Sequence, residues 1–345
     1  MLIGISPVRI SFAGGGTDLP EFYEKYEGSV VATTISQYTY VMIQERSDNA
    51  FQAFSPDFQK HYKATKFNKI EIQDGTEIAS SVIKYLKYKK GINVVLCSDA
   101  PTGSGLGTSG ALTVNLVNLI YNLQGLKNSK KNIAETAFKI GHDILNWPIG
   151  KQDEYISSYG GLNFIKFKKN KIQVTPIKME KNVTKELQSN LLLFFLGATR
   201  NSSTILSQQV KKIKEKNNKT IESLEQVNKL SKKMFRVLKK SNIDEFGDLL
   251  DEGWNAKKRF SEGVTNNKIN KIYDLALQNG AVGGKLTGAG GGGHLLFYCK
   301  PTKKKNLIKK LTNIGLSYVP FKFTNQGPQV LNLYDTIGGS TKWQN

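Results

Sequence analysis

The chain of 345 residues is 39% hydrophobic and 22% charged, which is ordinary for a globular protein that buries a substantial core. Its apolar runs are too short to span a membrane, and its first residues do not form the basic and apolar segments of an export signal. We therefore expect a cytoplasmic protein with no membrane partner. The formal net charge of +21 is the one unusual value, and it raises the question of a nucleic-acid partner.

The excess positive charge is dispersed along the chain. Lysine-rich segments such as "VKKIKEKNNK" and "KPTKKKNLIKK" are separate, and they contain Asn and Ile rather than the aromatic residues on which single-stranded nucleic acid stacks. We expect no nucleic-acid partner, and the charge indicates either a solvated surface or a field that attracts anionic small molecules. Cys97 and Cys299 lie far apart in strand-like segments, which favours a reducing compartment.

Hydrophobic periodicity predicts a mixed α/β chain in two parts. In the first part we predict strands at 3–12, 29–36, 38–46, 60–66 and 92–98, helices at 19–26, 75–89, 108–124 and 129–146 (the last with Ser129 as N-cap), a helical segment at 151–161 and a hairpin at 162–177. In the second part we predict a strand at 191–197, three or four amphipathic helices over 202–279, strands at 281–286 and 293–299, a helix at 303–314 and a strand at 316–323. The change of rhythm predicts two domains, 1–185 and 186–345.

A glycine-rich loop, "PTGSGLGTSGAL", connects the strand at 92–98 to the helix at 108–124. It contains G-x-G-x-x-G, but a dinucleotide-binding unit needs a second strand that ends in an acidic residue, and the following sequence has helical periodicity. A Walker A loop needs a lysine, which this loop lacks, and the other protein-kinase motifs do not occur in the sequence. All three motifs present backbone N–H groups at a helix N-terminus to phosphates. The loop in this chain would either do the same or only cap the helix. Thr108 and Ser109 are placed to cap the helix or to reach a phosphate-bound Mg²⁺.

Two further glycine clusters each follow a strand. "AGGGTD" at 13–18 ends in the carboxylate of Asp18, and "GGKLTGAGGGG" at 283–293 lies between two strands of the second part. Glycine in such places lets the backbone approach a ligand or another chain segment closely. Three glycine-rich loops that each end a strand indicate a functional role rather than coincidence.

The segments "PVRISFAGGGTD", "PTGSGLGTSGAL" and "GGKLTGAGGGG", in this order, resemble the three motifs of the GHMP small-molecule kinases. The resemblance covers roughly residues 3–325, and "PIGKQDEYISSYGGLNF" is similar to the sugar-kinase branch of the family. It implies an α+β fold in which 1–185 form an N-terminal domain like domain 2 of ribosomal protein S5. Residues 186–345 would form a ferredoxin-like C-terminal domain, with ATP and the sugar held between the two.

The resemblance also implies an activity. Members of this branch use ATP and Mg²⁺ to phosphorylate a sugar, here the anomeric C1 hydroxyl of a heptose 7-phosphate, so ATP and a sugar phosphate are the expected partners. Two alternatives stay open: a kinase for an unphosphorylated sugar such as fucose or galactose, and a catalytically weak member with a binding role. We expect a monomer or a homodimer.

Site residues follow from the same resemblance, motif by motif. Asp153 would orient or deprotonate the sugar hydroxyl, with Glu154 as its local rival, and Arg9 would lie near the transferred phosphoryl group. The ATP phosphates would be bound by Pro101, Gly103, Ser104, Gly105, Leu106, Gly107, Thr108 and Ser109, and Ser109 would also bind the metal. The sugar side would consist of Gly15, Gly16, Thr17, Asp18, Lys151, Gly160, Gly161, Arg200, Gly288, Gly290 and Gly291.

Two positions need separate comment. The family usually has a glutamate, a Mg²⁺ ligand, twelve residues before the catalytic aspartate, where this chain has Gly141. The metal would then depend on Ser109 and the ATP oxygens, or activity would be reduced. Arg200 follows a predicted strand and precedes Asn and Ser residues that open a helix, an arrangement that suits the phosphate of a sugar phosphate. An interdomain salt bridge is the other interpretation of Arg200.

Overall fold

The protein has two sheets with helices packed on them, seen in a computed structural model that describes residues 1–197 and 202–333. The strands are β1 (Leu2–Ala13), β2 (Gly28–Glu45), β3 (Phe51–Ser55), β4 (Lys60–Ala64), β5 (Ile92–Ser98), β6 (Leu162–Lys168), β7 (Lys171–Pro176), β8 (Leu191–Phe195), β9 (Ala281–Leu286), β10 (His294–Cys299), β11 (Ser317–Val319) and β12 (Gln329–Asn332). The α-helices are α1 (Pro20–Tyr26), α2 (Glu77–Tyr85), α3 (Thr108–Leu123), α4 (Lys130–Lys139), α5 (Gln152–Tyr159), α6 (Lys181–Asn190), α7 (Ser202–Lys214), α8 (Asn218–Lys239), α9 (Phe246–Lys257), α10 (Asn267–Gln278) and α11 (Pro301–Asn313).

The larger sheet contains eight of the described strands in the order β12-β1-β2-β5-β3-β4, with β6 and β7 joined to it through β2. The sequence predicted two strands where β2 is one continuous strand, and that prediction was wrong. β2 stays extended because its first half pairs with β6 and its second half with β5, while β1 pairs along both. Sequence reasoning also missed β3, α6 and β12. Because β12 pairs with β1, the chain returns to the first sheet near its end.

Helix α3 lies against the larger sheet and is buried on most of its surface. Its Asn115 Nδ2 donates to the carbonyl oxygens of Gly4 (3.0 Å) and Thr39 (2.9 Å), which ties the helix to β1 and β2. A Cβ added at Gly4 would lie 2.0 Å from Asn115 Oδ1, so only glycine allows this approach. Helix α3 is thereby fixed relative to β1.

The predicted helix at 129–146 divides in two. Ser129 caps α4 as predicted, since its hydroxyl accepts from the Asn132 N–H at 3.1 Å. After Lys139 the chain forms a π-helical turn over Ile140–Ile144. Gly141 lies in this turn, where an added Cβ would be 2.7 Å from Ile149 Cδ1 and 3.3 Å from Trp147 Cε3.

The smaller sheet is antiparallel, with the order β11-β8-β10-β9. Numbered along the chain, this is 4-1-3-2. Helices α7 to α10 connect its first and second strands, and α11 connects its third and fourth. This is the ferredoxin-like split βαβ arrangement, so the predicted α+β fold is confirmed.

The two sheets share a hydrophobic core. Val8, Ile10 and Phe12 of β1 belong to the same buried cluster as Leu193 of β8 and Leu296 of β10. Because these strands are held together by burial of apolar side chains, the loops that follow them are held near one another. None of the helices within the described ranges is both long and apolar enough to cross a membrane.

Candidate active site

The three glycine-rich loops meet at a cavity of about 520 Å³, within the roughly 300–1,000 Å³ of typical small-molecule sites. Twelve of the predicted site residues line it: Arg9, Gly15, Gly16, Asp18, Gly103, Gly105, Gly107, Thr108, Ser109, Asp153, Gly288 and Gly290. The cavity therefore brings together segments from both ends and from the middle of the chain.

The loop before α3 has an alternating backbone. Gly103, Gly105 and Gly107 have φ of 73°, 83° and 75°, a left-handed conformation that side chains disfavour, which explains why every second residue is glycine. Helix geometry leaves the first N–H groups of α3 without intrahelical partners, and no side chain of the described residues caps this helix. Because Gly107 precedes the helix and the cavity contacts Thr108 and Ser109, these N–H groups form an anion-binding helix end.

Residues from the second half of the chain pack against this loop and hold it in place. A Cβ added at Gly105 would lie 2.8 Å from the Thr287 carbonyl oxygen, and one added at Gly288 would lie 2.5 Å from Gly105 Cα. His294 Nδ1 lies 2.8 Å from the Ser104 carbonyl oxygen, and this ring is buried. The second and third glycine motifs, 101–112 and 283–293, therefore pack backbone against backbone, and their glycines are required by contact as well as by φ.

Arg9 and Asp153 form a bidentate ion pair inside the cavity. Arg9 Nε donates to Asp153 Oδ1 at 2.7 Å and Nη2 donates to Oδ2 at 2.8 Å, while Nη1 donates to the Gly105 carbonyl oxygen at 2.6 Å. The Arg9 side chain is 4% exposed and that of Asp153 is 25% exposed, so the carboxylate faces the open space. One guanidinium thus fixes both the carboxylate and the glycine-rich loop before α3.

Asp18 is buried beside the start of α5. It accepts from the N–H groups of Gly16 (2.9 Å) and Gln152 (3.1 Å) and from Gln152 Nε2 (3.2 Å). Burial first, and then the charge of Asp153, raise the pKa of Asp18 above its ordinary value. A Cβ added at Gly150 would lie 2.0 Å from Asp18 Oδ2, so Gly150 makes room for this carboxylate.

Glu154 is a second buried acid, one residue after Asp153. Its side chain lines the cavity, and an ideal Cβ at Gly110 would lie 3.2 Å from its Oε1. Its Oε2 has no hydrogen-bond partner among the described residues, although the residue is only 3% exposed. Burial, followed by the charge of Asp153, raises the pKa of Glu154 well above its ordinary value. A buried carboxylate without a partner is costly and invites a cation or a donor from a ligand.

Other buried polar atoms of the cavity also lack partners within the described part of the chain. They are Ser11 Oγ, Gln152 Oε1 and Gln209 Nε2. Together with Asp18, they give the cavity donors and acceptors suited to a ligand rich in hydroxyl groups. Sequence reasoning did not select Ser11, Gln152 or Gln209, because single polar residues on a strand or helix resemble any surface position.

Two buried lysines were also missed. Lys257 at the end of α9 and Lys285 in β9 line the cavity and are 7% and 6% exposed. Lys285 is the only charged residue in "GGKLTGAGGGG", which is a signal that could have found it. Lys257 is one of two adjacent lysines in a basic segment, so the sequence alone does not distinguish it.

The remaining predicted residues lie elsewhere. Residues that do not line the cavity are Thr17, Pro101, Ser104, Leu106, Lys151, Gly160, Gly161 and Gly291. Lys151 pairs with Glu135 at 2.7 Å and lies 4.7 Å from the centre of the Phe138 ring. The Gly161 N–H donates to Thr34 Oγ1 at 2.7 Å, and Gly160 packs against Gln326. Arg200 lies outside the described residues.

Comparisons with known proteins agree with this geometry. Residues 76–161 match the model of the GHMP kinases N terminal domain, and residues 234–315 match that of the GHMP kinases C terminal domain. A D-glycero-alpha-D-manno-heptose 7-phosphate kinase from Campylobacter jejuni is 33% identical over 93% of this chain and 96% of its own length.

Two further relatives are informative. A bifunctional fucokinase/GDP-fucose pyrophosphorylase from Arabidopsis thaliana is 26% identical, over 88% of this chain and 30% of its own length. A crystal structure from Bacteroides thetaiotaomicron, titled as a D-glycero-D-manno-heptose 1-phosphate kinase, superposes with a TM-score of 0.80. It is 26% identical in sequence, and the match covers 97% of this chain and 100% of that one.

Fold, motif order and nearly full-length identity therefore lead to one conclusion. The chain belongs to the GHMP kinase family, and it is a phosphotransferase that takes an alcohol group as acceptor.

Proposed function

We propose that the protein transfers the γ-phosphoryl group of ATP to the anomeric C1 hydroxyl of D-glycero-D-manno-heptose 7-phosphate. The observation that carries this proposal is the Arg9–Asp153 pair, which places a fixed carboxylate beside the anion-binding start of α3. Phosphoryl transfer depends mainly on positioning and on charge neutralisation, and this arrangement supplies both.

The ATP phosphates are assigned to the loop that includes Gly103, Gly105, Gly107 and Thr108. Its backbone N–H groups are fixed in place, so they need no reorganisation when phosphate oxygens arrive. The packing of Gly288 on Gly105 keeps the loop in one conformation. We place the adenosine beyond this loop, where Phe58, Asp74 and Glu77 extend the cavity.

Asp153 is the proposed proton acceptor. Its carboxylate accepts two hydrogen bonds from Arg9, and a sugar hydroxyl entering the cavity would give its proton to a free lone pair of the same carboxylate. As the hydroxyl oxygen attacks the γ-phosphorus, Arg9 lies close to the developing negative charge. Arg9 also binds Gly105, so the acceptor carboxylate and the phosphate-binding loop are kept at a constant separation.

Mg²⁺ fits the residues present. The carboxylate of Glu154, whose Oε2 lacks a partner, lies against Gly110, and the adjacent Ser109 lines the same cavity. Within the described residues no three His, Cys, Asp or Glu side chains are grouped as a metal site. That suits Mg²⁺, which is commonly bound by one or two side chains together with phosphates and waters. Glu154 and Ser109 would hold the ion, which neutralises phosphate charge when bound.

Gly141 does not itself line the cavity, although Trp147 and Ile149 beside it do. An added side chain there meets Ile149 and Trp147, so the position is taken up by packing. We propose that Glu154 replaces the glutamate that the family usually carries twelve residues before its aspartate. The presence of another carboxylate in the cavity favours an active kinase over a member with only a binding role.

The sugar is assigned to the side of the cavity that contains Asp18, Ser11, Gln152 and Gln209. Their unsatisfied donors and acceptors match the hydroxyl groups of a heptose, and Asp18 is rigidly held by three hydrogen bonds. Arg200 remains our candidate for a phosphate contact, by its position in the sequence. Free Cys97 and Cys299 are compatible with the cytoplasmic location we propose.

A kinase for an unphosphorylated sugar is the second candidate, because a fucokinase is among the relatives. The two heptose kinases among the relatives are also named for different phosphate positions, one as a 7-phosphate kinase and the other as a 1-phosphate kinase. The test is an ATP-consumption screen with heptose 7-phosphate, heptose 1-phosphate, free heptose, fucose, galactose and mevalonate, with ³¹P NMR of the product. We expect the highest kcat/KM with heptose 7-phosphate and a new anomeric phosphate signal. Preference for a free sugar would overturn the assignment.

A further inference from the structure

The cavity contains two buried ammonium groups that the catalytic scheme does not use. Lys285 Nζ donates to the Phe12 carbonyl oxygen at 3.1 Å, and Lys257 Nζ donates to the Gly288 carbonyl oxygen. Each residue is more than nine-tenths buried, and both line the cavity. An ammonium has three N–H donors, so each lysine keeps donors for a further partner.

Neither lysine forms an ion pair with any carboxylate of the described residues. Burial and the nearby Arg9 lower the pKa of Lys257 to about 7, against a smaller opposing effect of Asp18. Burial, the Lys257 ammonium and Arg9 lower the pKa of Lys285 well below its ordinary value. Three basic groups thus face one another, and the carboxylate of Asp153 is already engaged by Arg9.

This grouping is unfavourable in the empty protein. A buried ammonium loses hydration that one carbonyl oxygen does not replace, and like charges nearby add repulsion. Stability alone would favour an apolar side chain at both positions. A multiply charged anion removes the penalty, because it accepts hydrogen bonds from both ammonium groups and offsets their charge.

We propose that Lys257 and Lys285 form a binding site for a phosphoryl group, separate from the anion-binding start of α3. The inference rests on the proposed function for its ligand, which is either the phosphate that the sugar already carries or the phosphoryl group in transfer. Both of these groups would present phosphate oxygens to the two lysines. The site borders the glycine loop: Lys257 is bonded to Gly288, which packs against Gly105 of that loop, and Lys285 is bonded to Phe12 near the end of β1.

Binding of inorganic phosphate tests the site without turnover. The purified protein, saturated with ADP to fill the glycine loop, is titrated with phosphate by calorimetry. Lys257→Met and Lys285→Met keep an unbranched side chain one atom shorter and remove the charge, and Lys258→Met is the matched control because Lys258 lies beside Trp254 and not at the cavity. We expect each cavity variant to weaken phosphate binding roughly tenfold to a hundredfold, and the control to leave it unchanged.

Thermal unfolding gives a second readout. Without ligand, Lys257→Met is expected to melt higher than wild type, because a buried charge is removed. The rise in melting temperature that phosphate causes in wild type should be lost. A variant that merely damages packing would instead melt lower at every phosphate concentration. Phosphate protection that persists in both cavity variants would overturn the proposal, whether or not the enzyme accepts a heptose.

Kinetics then distinguish the two sources. If the site holds the phosphate of the sugar, Lys257→Met raises KM for heptose 7-phosphate roughly tenfold to a hundredfold, and turnover of free heptose is unchanged. If it holds the transferred group, kcat falls by a similar factor with both acceptors. Equal kinetics for Lys257→Met, Lys285→Met and Lys258→Met would contradict both.

Discussion

The two sides of the cavity are built in different ways. The loop wall, residues 102–110, is one continuous glycine-rich segment that lines the cavity and ends in the uncapped start of α3. The assembled wall consists of Gln209, Lys257, Phe260 and Lys285, which come from α7, α9, the segment after it and β9. The loop wall depends on local conformation, and the assembled wall on how two sheets pack. A change in the loop wall should therefore disturb nucleotide binding, and a change in the assembled wall should disturb acceptor binding.

Asp153 lies against Gly107 and Gly110 of the loop wall and is held by Arg9, and we expect its replacement to affect chemistry and neither binding step. Asp153→Asn is expected to lower kcat by about two to four orders of magnitude, because an amide does not accept the hydroxyl proton. Affinity for a non-hydrolysable ATP analogue, measured by calorimetry, should stay within about threefold of wild type. Asp143→Asn, at an exposed aspartate bound to His142, is the control. A kcat within tenfold of wild type would exclude Asp153 as the proton acceptor.

Gly105→Ala tests the loop wall. Gly105 has φ of 83° and a new Cβ would meet the Thr287 carbonyl oxygen at 2.8 Å, so the loop must shift. Displacement of a positioning group by about 1 Å costs roughly a hundredfold in rate, and we expect that loss in kcat/KM for ATP.

The matched control is Gly125→Ala, which has a similar φ of 69° at the end of α3 but has no atom within 4 Å of the added Cβ. Comparison of the two variants separates the effect of backbone strain from the effect of the contact between Gly105 and Thr287. Equal losses in the two variants would show that the contact between the two glycine loops is unimportant.

Glu154→Gln tests the proposed metal ligand. Removing the charge of an otherwise unpartnered carboxylate should weaken Mg²⁺ binding roughly tenfold to a hundredfold, since charge-assisted contacts are worth about 1.5–3 kcal/mol. The measurement is a calorimetric Mg²⁺ titration of the complex with a non-hydrolysable ATP analogue. Glu252→Gln, at an exposed residue of α9, is the control. Unchanged Mg²⁺ affinity would remove Glu154 from this role.

Ser109→Ala should have a smaller effect on the same wall. A neutral hydroxyl contributes about 0.5–1.5 kcal/mol, so we expect a roughly twofold to tenfold rise in the Mg²⁺ concentration needed for half-maximal rate. The KM for the sugar should be unchanged, because the residue opens α3 on the nucleotide side. A change confined to the sugar KM would show that the loop wall faces the acceptor instead.

The stability of the empty protein should depend on pH through the assembled wall. The pKa of Lys257 is about 7 when folded, against about 10.4 in an unfolded chain. The unfolded state therefore binds more protons between these values, so the destabilisation that Lys257 causes in the wild type decreases as pH rises across that window. Arg9, Lys285 and Asp18 also face this ammonium, so the comparison is made with Lys257→Met, in which they remain.

The melting-temperature advantage of Lys257→Met should thus be largest at pH 7 and below, and it should shrink to within experimental error near pH 10. Differential scanning calorimetry of ligand-free protein at four pH values measures it. An advantage that is independent of pH would mean that Lys257 is already neutral, or paired, across the range.

The sequence predicted correctly those structural features that depend on residues adjacent in the chain. The Ser129 cap, the strand–loop–helix unit at 92–124 and the glycine spacing at 103, 105 and 107 were recognisable because each depends on neighbouring residues. β3, α6 and β12 were missed because short elements owe their existence to a pairing partner. β12, for example, is defined by its register with Leu2 to Ile5 of β1.

By itself, the sequence determined the family, the α+β fold, the glycine-rich loop before α3 and the candidates Asp153, Asp18 and Arg9. Each follows from a short motif whose own residues are close along the chain. Only the tertiary structure decided that Arg9 binds Asp153 across 144 residues and that Lys257 and Lys285 share one buried space. It also placed Gly160 and Gly161 outside the cavity, where they pack against other segments. Burial and charge proximity are properties of packing between distant segments, and no spacing along the chain encodes them.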